Sequence, residues 1–143
     1  MRTQEINVYR EIQRNTEMAM KAIDTIADKV YDDQLSMQIA RQSLKYSEIH
    51  DKAYEKLLQY RAEPYHANHL SNMMLTGAIN SNTLLNTSTG HLAEIMIKGS
   101  NNNMVALNKV LNRNEEAGEQ PLSLARQLLD AEEKNVERLK RYL

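Results

Sequence analysis

Hydrophobic residues in the first thirty positions recur at alternating intervals of three and four: Tyr9, Ile12, Thr16, Ala19, Ile23, Ile26 and Val30 form one seam. Seven positions in register predict an amphipathic helix from about Thr3 to Val30. Thr3 with Ile6 supplies a cap and an entry contact, and Asp32-Asp33 supplies the next turn, one Asp capping the following helix. That helix should run from about Gln34 to Ala62, where Pro64 stops it by disfavouring helical geometry at Glu63. Its inward face reads Leu35, Ile39, Gln42 or Ser43, Tyr46, Ile49 or His50, Ala53, Leu57 and Tyr60. This face is wetter than the first. Tyr46, Tyr54 and His50 either form a polar layer in the core or carry their tips to its edge.

From Tyr65 the charge almost vanishes. The 48 residues from Tyr65 to Asn112 include only Glu94, Lys98 and Lys109 as formally charged residues. Asn, Ser and Thr replace them, and these satisfy hydrogen bonds inside a protein without the desolvation cost of an ion. The pattern predicts an inner helix of a bundle, or one covered by a second subunit. A single helix of this length would span about 72 Å, against about 42 Å for each of the first two. A break is therefore expected. The prediction is a connection from Tyr65 to about Asn82 containing a short helix, then a third long helix from Thr83 or Ser88 to Arg113. Such a connection is long enough for the third helix to run parallel to the second, and a short hairpin would make it antiparallel.

In that third helix Leu84, Leu92, Ile95, Gly99, Ala106 and Val110 keep the inward spacing. Gly99-Ser100 and the Asn101, Asn102, Asn103 triplet predict a local kink or bulge, or close approach of a neighbouring helix at Gly99. Asn114 to Gln120 reads as a loop. A last helix starts near Pro121 and turns Leu122, Ala125, Leu128 or Leu129, Val136 and Leu139 inward. The fold class is all-α: a four-helix bundle, ferritin-like or simple up-down, with a short extra helix between helices 2 and 3, in one domain spanning 1–143.

Composition agrees with this. Four Gly and two Pro argue against many strands and tight turns, and 41% hydrophobic content suffices for one core. A net charge of −1 with interspersed signs offers no electrostatic reason for nucleic acid or an anionic membrane as a partner. With no Cys, disulfides, thiolate metal sites and thiol nucleophiles are excluded. The first fifteen residues lack the apolar core of a secretory signal, and no apolar run reaches membrane-spanning length; a soluble, cytoplasmic protein is expected.

Four-helix bundles often hold metals, which makes the acids and histidines candidates for a di-iron pattern. That pattern needs a Glu from each of two helices and a Glu-x-x-His from each of the other two. Glu17, Glu48, Glu94 and Glu133 fall at broadly similar heights under a crossover arrangement, but the last helix has no His. Glu63 to His66 straddles Pro64, and His91 to Glu94 has the spacing reversed. His66 and His69 could share a transition metal on one turn, although two ligands are too few for structural zinc. Iron, manganese or zinc is thus the alternative to no cofactor, and solvated acids with a surface His pair are the simpler reading. No nucleophile elbow, Walker sequence or glycine-rich dinucleotide loop is present. A non-enzymatic, self-associating bundle with a structural or protein-interaction role is the leading expectation. Gly99, Ser100, Asn101, Asn102 and Asn103 are its candidate interface, or else a pocket.

Four short stretches, Asn82-Thr83-Leu84, Ala93-Glu94-Ile95-Met96-Ile97, Gly99-Ser100 and Glu132-Glu133-Lys134-Asn135, carry a resemblance. The last 60 residues or so resemble a group of uncharacterised helical proteins from anaerobic Gram-positive bacteria. The resemblance implies a ferritin-like or closely related four-helix bundle and carries no activity. Those proteins have Met-Gly after the Gly-Ser where this chain has Asn101 to Asn103.

Overall fold

A computed structural model describes residues 2–67 and 69–143, apart from the side chains of His69 and Leu70. The described residues form five α-helices, α1 (Arg2–Ala27), α2 (Asp33–Gln59), α3 (His69–Thr83), α4 (Thr89–Arg113) and α5 (Glu119–Leu139), and a terminal 3-10 turn, Lys140–Tyr142. The all-α expectation holds. None of these helices is long and apolar enough to cross a membrane.

Local chemistry sets the helix ends. Asp32 caps α2 by accepting from the Leu35 amide at 2.8 Å, and Ser88 caps α4 by accepting from the His91 amide at 3.3 Å. α2 stops at Gln59, earlier than Pro64 alone required. The Ala62 amide donates to Leu57 O at 2.9 Å and the Arg61 amide to Leu58 O at 3.0 Å, a Schellman closure. The closure puts Arg61 in the left-handed region with φ 53°. At the other end of the molecule Gly118, with φ 98°, starts α5.

α1 pairs with α2 on one side and α4 on the other, and α5 pairs with the same two helices. Asn7 Nδ2 donates to Asn114 Oδ1 at 3.1 Å, and Asn15 Nδ2 donates to Asn103 O at 2.9 Å. Low numbers on α1 meet high numbers on α4, so these helices are antiparallel. α2 is antiparallel to α1 as well, with His50 against Glu17, so α4 runs parallel to α2. The connection must therefore travel back along the molecule. Gln13, buried on α1, straps it down: its Oε1 accepts from the Tyr65 amide at 2.8 Å and its Nε2 donates to Tyr65 O at 3.1 Å. Arg10 Nε adds a bond to Glu63 O at 2.7 Å. α3 then packs mainly on α1.

The main core joins α1, α2, α4 and α5, and a smaller one gathers Ile26, Ile79 and Leu92 where α3 meets α1 and α4. The predicted α1 seam is buried from Tyr9 to Ile26, with Val30 half-buried just past the helix end. α4 differs from expectation. Its buried line runs through Leu92, Ser100 and Leu107, one residue after the predicted Gly99 and Ala106, and Leu84 is 78% exposed before the helix begins. The helix is unbroken through Gly99, which is exposed, and a Cβ there would meet nothing within 4 Å. Gly99 permits no close helix approach. The glycine that does is Gly90, where a Cβ would lie 3.2 Å from Tyr142 O of the terminal turn.

Candidate functional site

The one-residue offset of the α4 line brings a polar side chain, Ser100, to the centre of the molecule. Asn15 from α1, Gln42 and Tyr46 from α2, Ser100 and Asn103 from α4, and Glu132 and Asn135 from α5 form a polar layer across the core. Glu132 is 1% exposed. The Tyr46 hydroxyl donates to Glu132 Oε1, and Asn135 Nδ2 donates to the Tyr46 oxygen at 3.1 Å. The α5 seam reads Ala125, Leu128, Glu132, Asn135, Leu139, with Leu122 and Val136 only half-buried.

Burial pushes the Glu132 carboxyl up to about 7, against the opposing pull of hydrogen-bonding groups from Tyr46, Asn103, Asn135 and Ser100. Among the described residues its Oε2 has no hydrogen-bond partner of good geometry. Tyr46 is driven well above the ordinary tyrosine range, first by burial and then by the Glu132 charge. The layer thus holds an acid that takes up a proton near neutrality. The cavity beside it, between Gln42, Tyr46, Ser100 and Asn103, is about 40 Å³. Pockets for organic molecules run to about 300–1,000 Å³, so this one takes no substrate.

The sequence pattern turns Tyr46, and either Gln42 or Ser43, inward, and offers Ser100 and Asn103 as interface or pocket. It named Glu133, which is exposed, and missed Glu132 next to it. The missed signal was the three-four spacing of Leu128, Glu132, Asn135 and Leu139, which runs a charge through an otherwise apolar seam. On α5 the Glu-x-x-His spacing is occupied by Glu132 and Asn135, an amide in place of the imidazole.

The predicted metal residues are dispersed. Glu17 meets His50, with Nε2 3.1 Å from Glu17 Oε1, while Asp51 Oδ1 lies 3.2 Å from His50 Nδ1. The two acids occupy opposite ring nitrogens, which leaves no common point for one ion. Gln13 Nε2 also donates to Glu17 Oε1 at 3.3 Å, and Tyr54 stacks on His50. Glu48 is exposed, 3.9 Å from Lys45. Glu94 is exposed, 2.9 Å from Lys98, whose hydrogen bond and charge lower its pKa. His66 and Glu63 form an exposed 3.7 Å pair, and the His69 side chain lies outside the described residues. Among the described residues no three His, Asp or Glu side chains are grouped to hold a metal. The Gly99–Asn103 stretch is divided: Ser100 is buried and Asn103 half-buried, whereas Gly99, Asn101 and Asn102 are exposed.

A charge-free stretch with exposed apolar side chains lies elsewhere. Between Glu63 and Glu94 the chain has no Asp, Glu, Lys or Arg. α3 buries Ile79 and Thr83 and exposes Met73, Met74, Gly77 and Ala78 on the opposite face, at 58% and 66% for the two methionines. Leu84 and Leu85 follow at 78% and 97% exposed.

No protein-family model matches this chain, and no curated protein or solved structure is a match to it.

Proposed function

We propose that this protein is a non-enzymatic helical bundle that works by self-association, with the α3 face as its interface. The observation that carries the reading is the exposure of Met73, Met74, Leu84 and Leu85 on a stretch without formal charge. Exposed apolar side chains on a stretch without charge are the kind of surface that another protein covers. A second copy suits it because a two-fold contact sets a patch against itself, and a neutral patch meets no like-charge repulsion there. Exposed apolar residues on α2, such as Met37 and Leu44, lack this property because Arg41, Lys45 and Glu48 lie among them.

The architecture in this reading is a ferritin-like four-helix bundle of α1, α2, α4 and α5, with α3 inside the single crossover. The parallel course of α2 and α4, and the resemblance of the last 60 residues or so to bacterial helical-bundle proteins, support it. The buried polar layer is structural and sets which helix faces meet. Light scattering on a size-exclusion column tests the reading. A dimer or larger species is expected, converted to monomer by Met74→Glu with Leu85→Glu and unaffected by Leu44→Glu. A strict monomer at tens of micromolar overturns it. Near-stoichiometric iron, manganese or zinc in untagged protein would replace it with the metal-binding alternative.

A further inference from the structure

On the seam between α2 and α5 exposed cations from both helices gather. Tyr46 against Glu132 and Lys56 against Gln120 fix the antiparallel register of these helices. The same register sets Arg41 level with Arg138 and Lys45 level with Lys134. All four line one pocket of about 270 Å³, whose only acid among the described residues is Asp130. Asp130 lies 2.9 Å from Lys134, and Lys45 has only a loose 3.9 Å approach to Glu48. Among the described residues Arg41 and Arg138 form no ion pair. Four cations against one carboxylate thus converge in a chain whose net charge is −1.

Like charges held level across a helix pair repel one another, and opposite-sign partners at these positions would be more stable. The floor of the pocket strengthens the case. Gln42 and Asn135 line it and are 3% and 5% exposed, and among the described residues Gln42 Nε2 has no hydrogen-bond partner. A buried N–H donor without an acceptor is costly, and an anion in the pocket is a candidate acceptor for it.

We propose that the α2–α5 pocket binds a compact anion carrying two phosphate groups. Arg41 and Arg138, one from each helix, are the forked donors suited to phosphate oxygens, and Lys45 and Lys134 add point charges. The net excess of three positive charges calls for more than one monoanionic group. The volume, just below the range of about 300–1,000 Å³ for drug-sized ligands, limits the scaffold to pyrophosphate or a small sugar bisphosphate. The site is independent of the α3 face and of the oligomeric state.

Isothermal titration at 150 mM chloride with sodium pyrophosphate and, separately, fructose 1,6-bisphosphate tests the proposal; the tighter of the two identifies the inorganic or the organic source. One-site binding is expected, weakened at least tenfold by Arg138→Gln and by Arg41→Gln. Both variants should melt at or above the wild-type temperature without ligand, because each removes a repulsion. Absence of binding by both anions overturns the proposal, as does equal affinity in both variants. A lower ligand-free melting temperature in both variants also overturns it, since the cations would then be stabilising the fold rather than awaiting a counter-charge.

Discussion

The Tyr46 hydroxyl on α2 donates to the Glu132 carboxylate on α5, joining helices 86 residues apart in sequence through the middle of the core. A buried acid whose pKa has risen to about 7 makes stability depend on pH near neutrality. The folded chain holds this proton more tightly than the unfolded chain, where the ordinary value is 4.5. The contribution from Glu132 is therefore fully present below pH 4.5 and lost as pH rises through about 7. Its full extent is about 3 kcal/mol. Glu132→Gln, which cannot ionise, should remove this slope. Urea denaturation at pH 5 and pH 8 should show the variant gaining on wild type at the higher pH, and parallel curves would contradict the assignment.

Tyr46→Phe leaves Glu132 Oε1 and Asn135 Nδ2 without the partner they share. The expected loss is about 1–3 kcal/mol at pH 8, where the carboxylate is charged, and less at pH 5. The same substitution should raise the Glu132 pKa further, because the Tyr46 hydrogen bond is the largest influence lowering it. Carboxyl-resolved NMR titration reads that shift directly.

Arg61 occupies a left-handed position that the Schellman closure of α2 requires. A side chain there costs roughly 1 kcal/mol that glycine does not. Arg61→Gly should raise the melting temperature, and a fall would show that the arginine makes an interaction worth more than the strain.

Gly99 lies in an unbroken helix with open space beside it. Gly99→Ala should stabilise the protein by about 0.5–1 kcal/mol through the better helix propensity of alanine. Thermal denaturation checks it. A loss of stability would restore the expectation that this glycine serves close packing.

Much of the architecture was legible along the chain. Seven residues in register located α1, the Asp32-Asp33 pair marked the start of α2, and the absence of charge after Tyr65 announced a change of element. These features are local, and the physics that produces them acts within a turn or two of helix. The candidate site was legible only in fragments. Ser100 and Asn103 stand out by their chemistry, but apolar spacing alone puts the α4 seam on Gly99 and Ala106. Whether Ser100 faces inward depends on Glu132 and Tyr46 being there to meet it.

By itself the sequence determined the helical class, the approximate lengths of four long helices, and the neutrality of the connecting stretch, because helix propensity, capping and amphipathic period operate between near neighbours. The tertiary structure decided that α4 runs parallel to α2, that Glu132 and not Glu133 is buried, and that Glu17 pairs with His50. It also brought four cations from α2 and α5 into one pocket. Each of these depends on helix register across the core. Register is set by the sum of many contacts between residues far apart in the chain, and no local pattern encodes it.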